Sequence, residues 1–131
     1  MEWIESLREA FEVAKDNCGQ HSQSYRENDI EGEMFFDVDV WTRQPAIHEF
    51  VMRSPAAGIV AKLMGSQTAR LFYDQIFIRE PGRVAPTPWH QDLPYWRVDG
   101  EQICTLRLPL DSVPRSTGVE YVKGSQRLKT C

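Results

Sequence analysis

Two features of the sequence predict an α+β, mainly β fold in which helices come first and a β-rich region follows. In residues 1–66, apolar side chains recur every three or four positions, which is the spacing of amphipathic helices. After Gly65 the apolar period changes to two, which is typical of strands. At 131 residues, 41% of them hydrophobic, the chain is expected to form a single domain with a modest core. Residues 1–66 would be its helical part and residues 67–131 its β-rich part.

The chain begins with a segment typical of an amphipathic helix. Residues 2–16 place apolar side chains at helical spacing, with Glu and Arg between them. This helix should end near Gly19, because glycine readily adopts the left-handed conformation that often follows a helix. The polar residues 20–33 then predict a loop, and the apolar residues 35–41 predict a short strand or extended segment.

Two further helices are expected before the period changes. Pro45 should begin the first of them, because proline has no N–H to leave unpaired at a helix start and its φ already suits a helix. Ser54 is a good N-cap and Pro55 suits the first helical position, which predicts a second helix that stops at Gly65.

The β-rich part contains three segments with the pattern of strands. Residues 69–79 predict a long strand that is buried on both faces or nearly so. A proline-rich loop follows, and residues 101–110 predict a second strand in which Cys104 would be a buried thiol beside leucines. Residues 119–122 predict the beginning of a third strand.

Composition and charge exclude several classes of function. A net charge of −4 without a dense cluster of Lys and Arg argues against a surface for nucleic acid or for an anionic membrane. The sequence contains no apolar stretch of membrane-spanning length and does not begin like a signal peptide, so a cytoplasmic protein is expected. The three cysteines stand far apart, which suits reduced thiols better than a disulfide or zinc framework.

The strongest chemical signal is the segment Thr87-Pro88-Trp89-His90-Gln91-Asp92. His90 and Asp92 stand two positions apart, and in extended backbone such residues project from the same face. An imidazole nitrogen and a carboxylate would therefore share one volume. They are two of the three ligands in the two-histidine, one-carboxylate set that holds non-haem iron with coordination positions left open. The alternative for a bare His-x-Asp sequence is a surface pair without a metal.

Further motifs surround this segment on both sides. They are Ile78-Arg79-Glu80-Pro81-Gly82, Tyr95-Trp96, Pro109-Leu110-Asp111-Ser112-Val113 and Gly118-Val119-Glu120-Tyr121-Val122-Lys123-Gly124-Ser125. With these motifs, the chain from about residue 69 to residue 127 resembles the phytanoyl-CoA dioxygenase family of Fe(II)- and 2-oxoglutarate-dependent oxygenases. The helical N-terminal half is also similar to that family, though less specifically.

The resemblance implies a double-stranded β-helix, which is a cupin-like jelly roll, with helices packed on one side. His90 and Asp92 would be two ligands of Fe(II), while Gln91 and Arg79 would contact the cosubstrate 2-oxoglutarate. The family chemistry is the oxidative decarboxylation of 2-oxoglutarate coupled to hydroxylation of a small-molecule substrate. Without the resemblance, the simpler role for Gln91 is that of a hydrogen-bonding loop residue.

Aromatic residues flank the His-Gln-Asp triplet. Trp89, Tyr95 and Trp96 would line a substrate pocket if the site is assembled. Packing within the core or the loop explains aromatic residues at these positions equally well.

The sequence departs from the family pattern on the C-terminal side of the triplet. The family's second ligating histidine and its cosubstrate-binding arginine lie on later strands, whereas the chain has only His21 and His48 besides His90. Both are expected to be solvent-exposed or capping residues. Arg107 and Gln126 stand where the family usually has an aromatic residue and a histidine. The chain is therefore expected to be a C-terminally truncated member with an incomplete jelly roll.

These observations leave several functions open. In its complete form the protein would be a dioxygenase that hydroxylates a small molecule. The missing ligands favour a non-catalytic relative with a structural or binding role, which would pair as a homodimer through open sheet edges. A partner chain that donates the third ligand is a further alternative, and a cupin-like small-molecule binder is another.

Overall fold

The computed structural model of the protein describes residues 2–25, 32–80 and 87–128. These residues belong to two compact units, residues 1–85 and residues 86–131. The first unit contains three α-helices and a three-stranded antiparallel sheet, and the described part of the second contains short 3-10 turns and irregular backbone. The predicted α+β class is confirmed. The jelly roll stays a prediction, because the sheet of the described residues has only these three strands.

The helices of the first unit lie where the sequence predicts them. They are α1 (Glu2–Asp16), α2 (Pro45–Arg53) and α3 (Ala56–Leu63). Pro45 occupies the first turn of α2, and Gly65 beyond α3 has a φ of +65°, so these two predicted boundaries are confirmed. The N-cap of α3 is Pro55 rather than the predicted Ser54, which instead ends α2. Among the residues that the structure describes, no helix combines the length and the apolar character that a membrane crossing requires.

The core of the first unit contains buried residues of both its helices and its sheet. Trp3 of α1 contacts Phe50 of α2 edge-on, with ring centroids 5.7 Å apart. The buried apolar side chains are Leu7, Ala10, Ala14, Phe35, Val40, Ile47, Ala61 and Ile76. The buried residues Ala10 and Ala14 of α1 have small side chains, which allow neighbouring elements to pack close to this helix. The core therefore depends on shape as well as on apolar area.

The sheet has the order β1-β2-β3, with all neighbours antiparallel. Its strands are β1 (Gln23–Tyr25), β2 (Met34–Val38) and β3 (Gln75–Arg79). β1 falls within the predicted polar loop, so that prediction is wrong for these three residues. The polar sequence of β1 has little tendency to form a strand by itself. It forms one because it pairs with β2, where Ser24 lies opposite Phe35.

The two faces of the sheet have different surroundings. Phe35, Asp37 and Ile76 are buried on one face. On the other face, the Phe36 ring lies 5.6 Å from the Tyr25 ring and 6.2 Å from the Phe77 ring. Tyr25 and Phe77 are exposed, so this face presents an aromatic row that reaches solvent.

The predicted strand over residues 69–79 is shorter and less buried in the structure. β3 begins only at Gln75, and Leu71 and Phe72 are about half exposed, at 45% and 56%. The reason lies in the partner strand. Beyond Val38 the chain turns at Asp39, whose φ is +53°, into a 3-10 turn, so residues 69–74 have little of β2 left to pair with.

The strands predicted over residues 101–110 and 119–122 are absent from the described part of the second unit. Cys104, predicted to be buried, is exposed, as are Leu106 and Leu108. An alternating sequence has two suitable faces, but a strand also needs a neighbouring backbone to bond to. The predictions for these segments are wrong, because none of their residues belongs to a strand of the sheet that the described residues form.

Candidate metal centre

His90 and Asp92 lie in the second unit, immediately before a 3-10 turn (Leu93–Tyr95). The predicted extended backbone does not persist to Asp92, which has helical dihedral angles of φ −73° and ψ −36°. The two side chains nevertheless converge, with 3.2 Å between Nε2 of His90 and Oδ1 of Asp92. The structure therefore brings together the two residues proposed as ligands, by a turn rather than by a strand.

The hydrogen bond made by Nδ1 of His90 determines whether Nε2 carries a hydrogen or a lone pair. Nδ1 lies 2.8 Å from the carbonyl oxygen of Pro88, which can only accept a hydrogen bond, so Nδ1 carries the hydrogen. In a neutral ring, Nε2 then presents its lone pair towards the Asp92 carboxylate. Two acceptors face each other across 3.2 Å, and only a proton on Nε2 or a bound cation makes that arrangement favourable.

The donor pair fits a divalent transition metal such as Fe(II). Imidazole nitrogen and carboxylate oxygen are the ligand types of the non-haem iron site. With metal–ligand bonds of about 2.1 Å, adjacent ligands of an octahedral ion lie about 3.0 Å apart, close to the observed separation of Nε2 and Oδ1. Within residues 2–25, 32–80 and 87–128, no group of three or more His, Cys, Asp or Glu side chains is placed to hold an ion. A divalent ion at this position would thus have two protein ligands among the described residues.

Gln91 is bonded to the backbone of a distant turn. Its Nε2 donates to the carbonyl oxygen of Ser125 at 2.6 Å and lies 3.4 Å from that of Leu128. The sequence contains no signal for these partners, which stand 34 and 37 residues away. The amide group predicted to contact 2-oxoglutarate is therefore hydrogen-bonded to backbone carbonyl groups of the described chain.

The aromatic residues beside the triplet differ in exposure. Trp89 and Tyr95 are mostly exposed, at 69% and 77%, whereas Trp96 is partly buried. The Tyr95 ring stands edge-on to the His90 ring, with centroids 6.4 Å apart and an interplanar angle of 81°. Tyr95 and Trp89 thus present apolar surface to solvent next to the donor pair.

The remaining residues considered for the site belong to the first unit. Arg79 ends β3 opposite Met34 and is exposed. His21 and His48 are exposed, as predicted, and the His48 ring stacks on Trp41 with centroids 5.5 Å apart. The Pro81-Gly82-Arg83 stretch before the triplet lies outside the described residues.

Asp74, just before β3, is a partly buried carboxylate to which the sequence pattern assigned no role. Its Oδ1 accepts from the backbone N–H of Trp41 at 3.1 Å, while the buried Oδ2 has no hydrogen-bond partner in the described structure. Burial, with a smaller contribution from the charge of Asp39, raises the pKa of Asp74 above its ordinary value. The only sequence signal was an acidic residue inside an apolar run.

The fold and the donor pair define an α+β protein that carries a candidate site of the non-haem iron type. The family model of phytanoyl-CoA dioxygenase (PhyH) matches residues 2–130, which includes the helical half as well as the triplet. The chain therefore belongs to the phytanoyl-CoA dioxygenase family. No curated protein and no solved structure matches it.

Proposed function

We propose that the protein acts as an Fe(II)- and 2-oxoglutarate-dependent oxygenase on a small-molecule substrate, with His90 and Asp92 as two iron ligands. The observation that supports this function best is the 3.2 Å approach of Nε2 to Oδ1 in a member of this family. When bound, Fe(II) supplies the reaction of O₂ with 2-oxoglutarate and substrate, in which one oxygen atom enters succinate, the other the new hydroxyl group, and CO₂ leaves.

In this function the residues of the chain would bind the Fe(II) ion and orient its ligands. The Pro88 carbonyl holds the Nδ1 hydrogen of His90, which directs the Nε2 lone pair outward as a ligand, and Asp92 adds a negative charge that favours a divalent cation. Tyr95 stands edge-on to the imidazole and contributes an aromatic contact beside it. The third ligand would come from another part of the protein or from a partner chain.

The other assigned roles are also part of this proposal. Arg79, as an exposed guanidinium, suits a carboxylate of 2-oxoglutarate. Trp89, Tyr95 and Trp96 would contact the substrate, and Trp89 and Tyr95 already present exposed aromatic surface. An apolar or aromatic portion of the substrate would bury that surface.

Anaerobic calorimetric titration with Fe(II), with and without 2-oxoglutarate, tests this function. Loss of one of two protein ligands in His90→Ala should weaken Fe(II) binding by more than about a hundredfold, since changes in outer-shell residues alone cost up to that much. His21→Ala, which removes an exposed histidine of the first unit, is the matched control and should bind as the unaltered chain does. Equal Fe(II) affinity in all three proteins would rule out His90 as a ligand.

A second candidate function is a non-catalytic relative that forms a homodimer through its sheet edges. β1 and β3 are the edge strands of the described sheet. The backbone N–H of Asp39 donates to the carbonyl oxygen of Asp74, and that of Glu80 donates to the carbonyl oxygen of Glu33. Alternate residues of β3 therefore bond to β2, while Gln75 and Arg79 direct their backbone groups outward. An outward row of this kind accepts a further strand.

Analytical ultracentrifugation over a range of concentrations tests the dimer. Gln75→Pro removes an outward-facing N–H and should shift the chain towards the monomer without breaking the β2–β3 ladder. Gln67→Pro, which lies outside the sheet, should leave the dimer intact. A chain that remains monomeric at every concentration, or a dimer that Gln75→Pro does not weaken, would contradict pairing at this edge.

A further inference from the structure

Gln91 connects the candidate metal centre to a turn near the other end of the second unit. Its Nε2 bonds to the carbonyl oxygen of Ser125 at 2.6 Å, with that of Leu128 at 3.4 Å. Because both acceptors are carbonyl oxygens, only the amide nitrogen of Gln91 can face them. His90 and Asp92, on either side of it, bond to groups only two residues away.

The turn that receives Gln91 is closed by its own backbone bonds. Ser125 donates to Val122 at 3.1 Å, Arg127 to Gly124 at 3.1 Å and Leu128 to Ser125 at 3.0 Å. Gly124 has a φ of +83°, a conformation that a residue with a side chain rarely adopts. The carbonyl groups that hold Gln91 therefore have defined positions, and Gly124 is what permits the turn.

We propose that Gln91 is a positioning residue, which ties the His-Gln-Asp triplet to the turn formed by residues 124–128 and thereby fixes the separation of the two ligand atoms. The His90 and Asp92 side chains are 42% and 48% exposed, so packing alone does not hold them in place. The Gln91 bonds restrain the backbone between them. This inference rests on the proposed function for its metal, and it gives Gln91 a role other than contact with 2-oxoglutarate.

Substitution of Gln91 by glutamate separates this role from the alternatives. Gln91→Glu places a carboxylate opposite two carbonyl oxygens, so the tie breaks, yet it adds a negative charge beside the candidate ligands. If charge or direct ligation were decisive, cation affinity would rise. If the tie is decisive, we expect affinity for Mn(II), measured by electron paramagnetic resonance without 2-oxoglutarate, to fall about tenfold. Gln126→Glu adds the same charge at an exposed residue of the turn and should not weaken binding.

Hydrogen–deuterium exchange gives a readout that does not need the metal. In Gln91→Glu, amide exchange should become faster in two separate segments, residues 87–96 and 122–128, and Gln126→Glu should change neither. Gly124→Ala strains the turn and should accelerate exchange in the same two segments.

The outcomes separate the two proposals. Unchanged exchange in Gln91→Glu, or Mn(II) affinity equal to or above that of the unaltered chain, would overturn the positioning role. If the unaltered chain binds no Mn(II) while Gln91→Glu still exchanges faster in both segments, the tie is upheld and the metal centre is overturned. Loss of 2-oxoglutarate affinity with unchanged Mn(II) affinity would instead assign Gln91 to the cosubstrate.

Discussion

The buried carboxylate of Asp37 should be among the largest single contributors to the stability of the first unit. Its side chain is fully buried, pairs with the guanidinium of Arg43, and accepts from the backbone N–H groups of Gly19 at 2.8 Å and Val38 at 2.9 Å. Asp37→Asn keeps the volume but removes the charge that compensates Arg43. Breaking a buried ion pair costs about 3–5 kcal/mol, and because the Arg43 side chain is 30% exposed we expect the lower end, about 3 kcal/mol.

Urea denaturation followed by near-ultraviolet circular dichroism would measure this loss. Asp16→Asn changes an exposed aspartate at the end of α1 and should stay within about 0.5 kcal/mol of the unaltered chain. A double-mutant cycle of Asp37→Asn with Arg43→Met should show coupling of about 1 kcal/mol or more, because the two side chains share one bond. If Asp37→Asn costs no more than Asp16→Asn, or the cycle shows no coupling, the account of this buried pair is refuted.

Further predictions concern two glycines and a carboxylate. Gly19→Ala should lower the free energy of unfolding, measured by urea denaturation, by about 1–3 kcal/mol, since a Cβ would lie 2.9 Å from Oδ1 of Asp37. Gly58→Ala, where the Cβ would enter open space within α3, should raise it by about 0.5–1 kcal/mol. Equal effects of the two substitutions would contradict this argument. Burial raises the pKa of Asp74 above its ordinary value of 3.8. The contribution of this carboxyl group to folding stability is therefore fully present below pH 3.8, and it is lost as the pH rises through the higher pKa of the folded chain. Asp74→Asn should therefore be more stable than the unaltered chain at pH 7, and this advantage should shrink towards pH 3.8; a difference that does not change with pH would exclude ionisation of Asp74 as its cause.

The helices, β2 and the position of the candidate ligands could be predicted from the sequence because their signals are local. The spacing of apolar residues indicates α1, and Pro45 marks the start of α2 because its φ suits a helix. Gly65, which has a positive φ, marks the end of α3. The candidate ligand chemistry of His90 and Asp92 likewise depends on residue type and separation, which the sequence alone contains.

Tertiary structure alone decided where those local signals lead. Gly19 does not have the positive φ that the sequence predicts; its lack of a side chain is required instead by the close approach of Asp37 and Arg43, from 18 and 24 positions further along the chain. β3 begins only at Gln75, where its pairing with β2 begins, although the alternating sequence extends back to residue 69. The partners of Gln91 are backbone carbonyl groups. Every residue has such a group, so no sequence motif indicates which of them will bond to Gln91. In each case a neighbour brought near by folding, rather than the residue itself, determines the conformation and the role, since packing and pairing outweigh local preference.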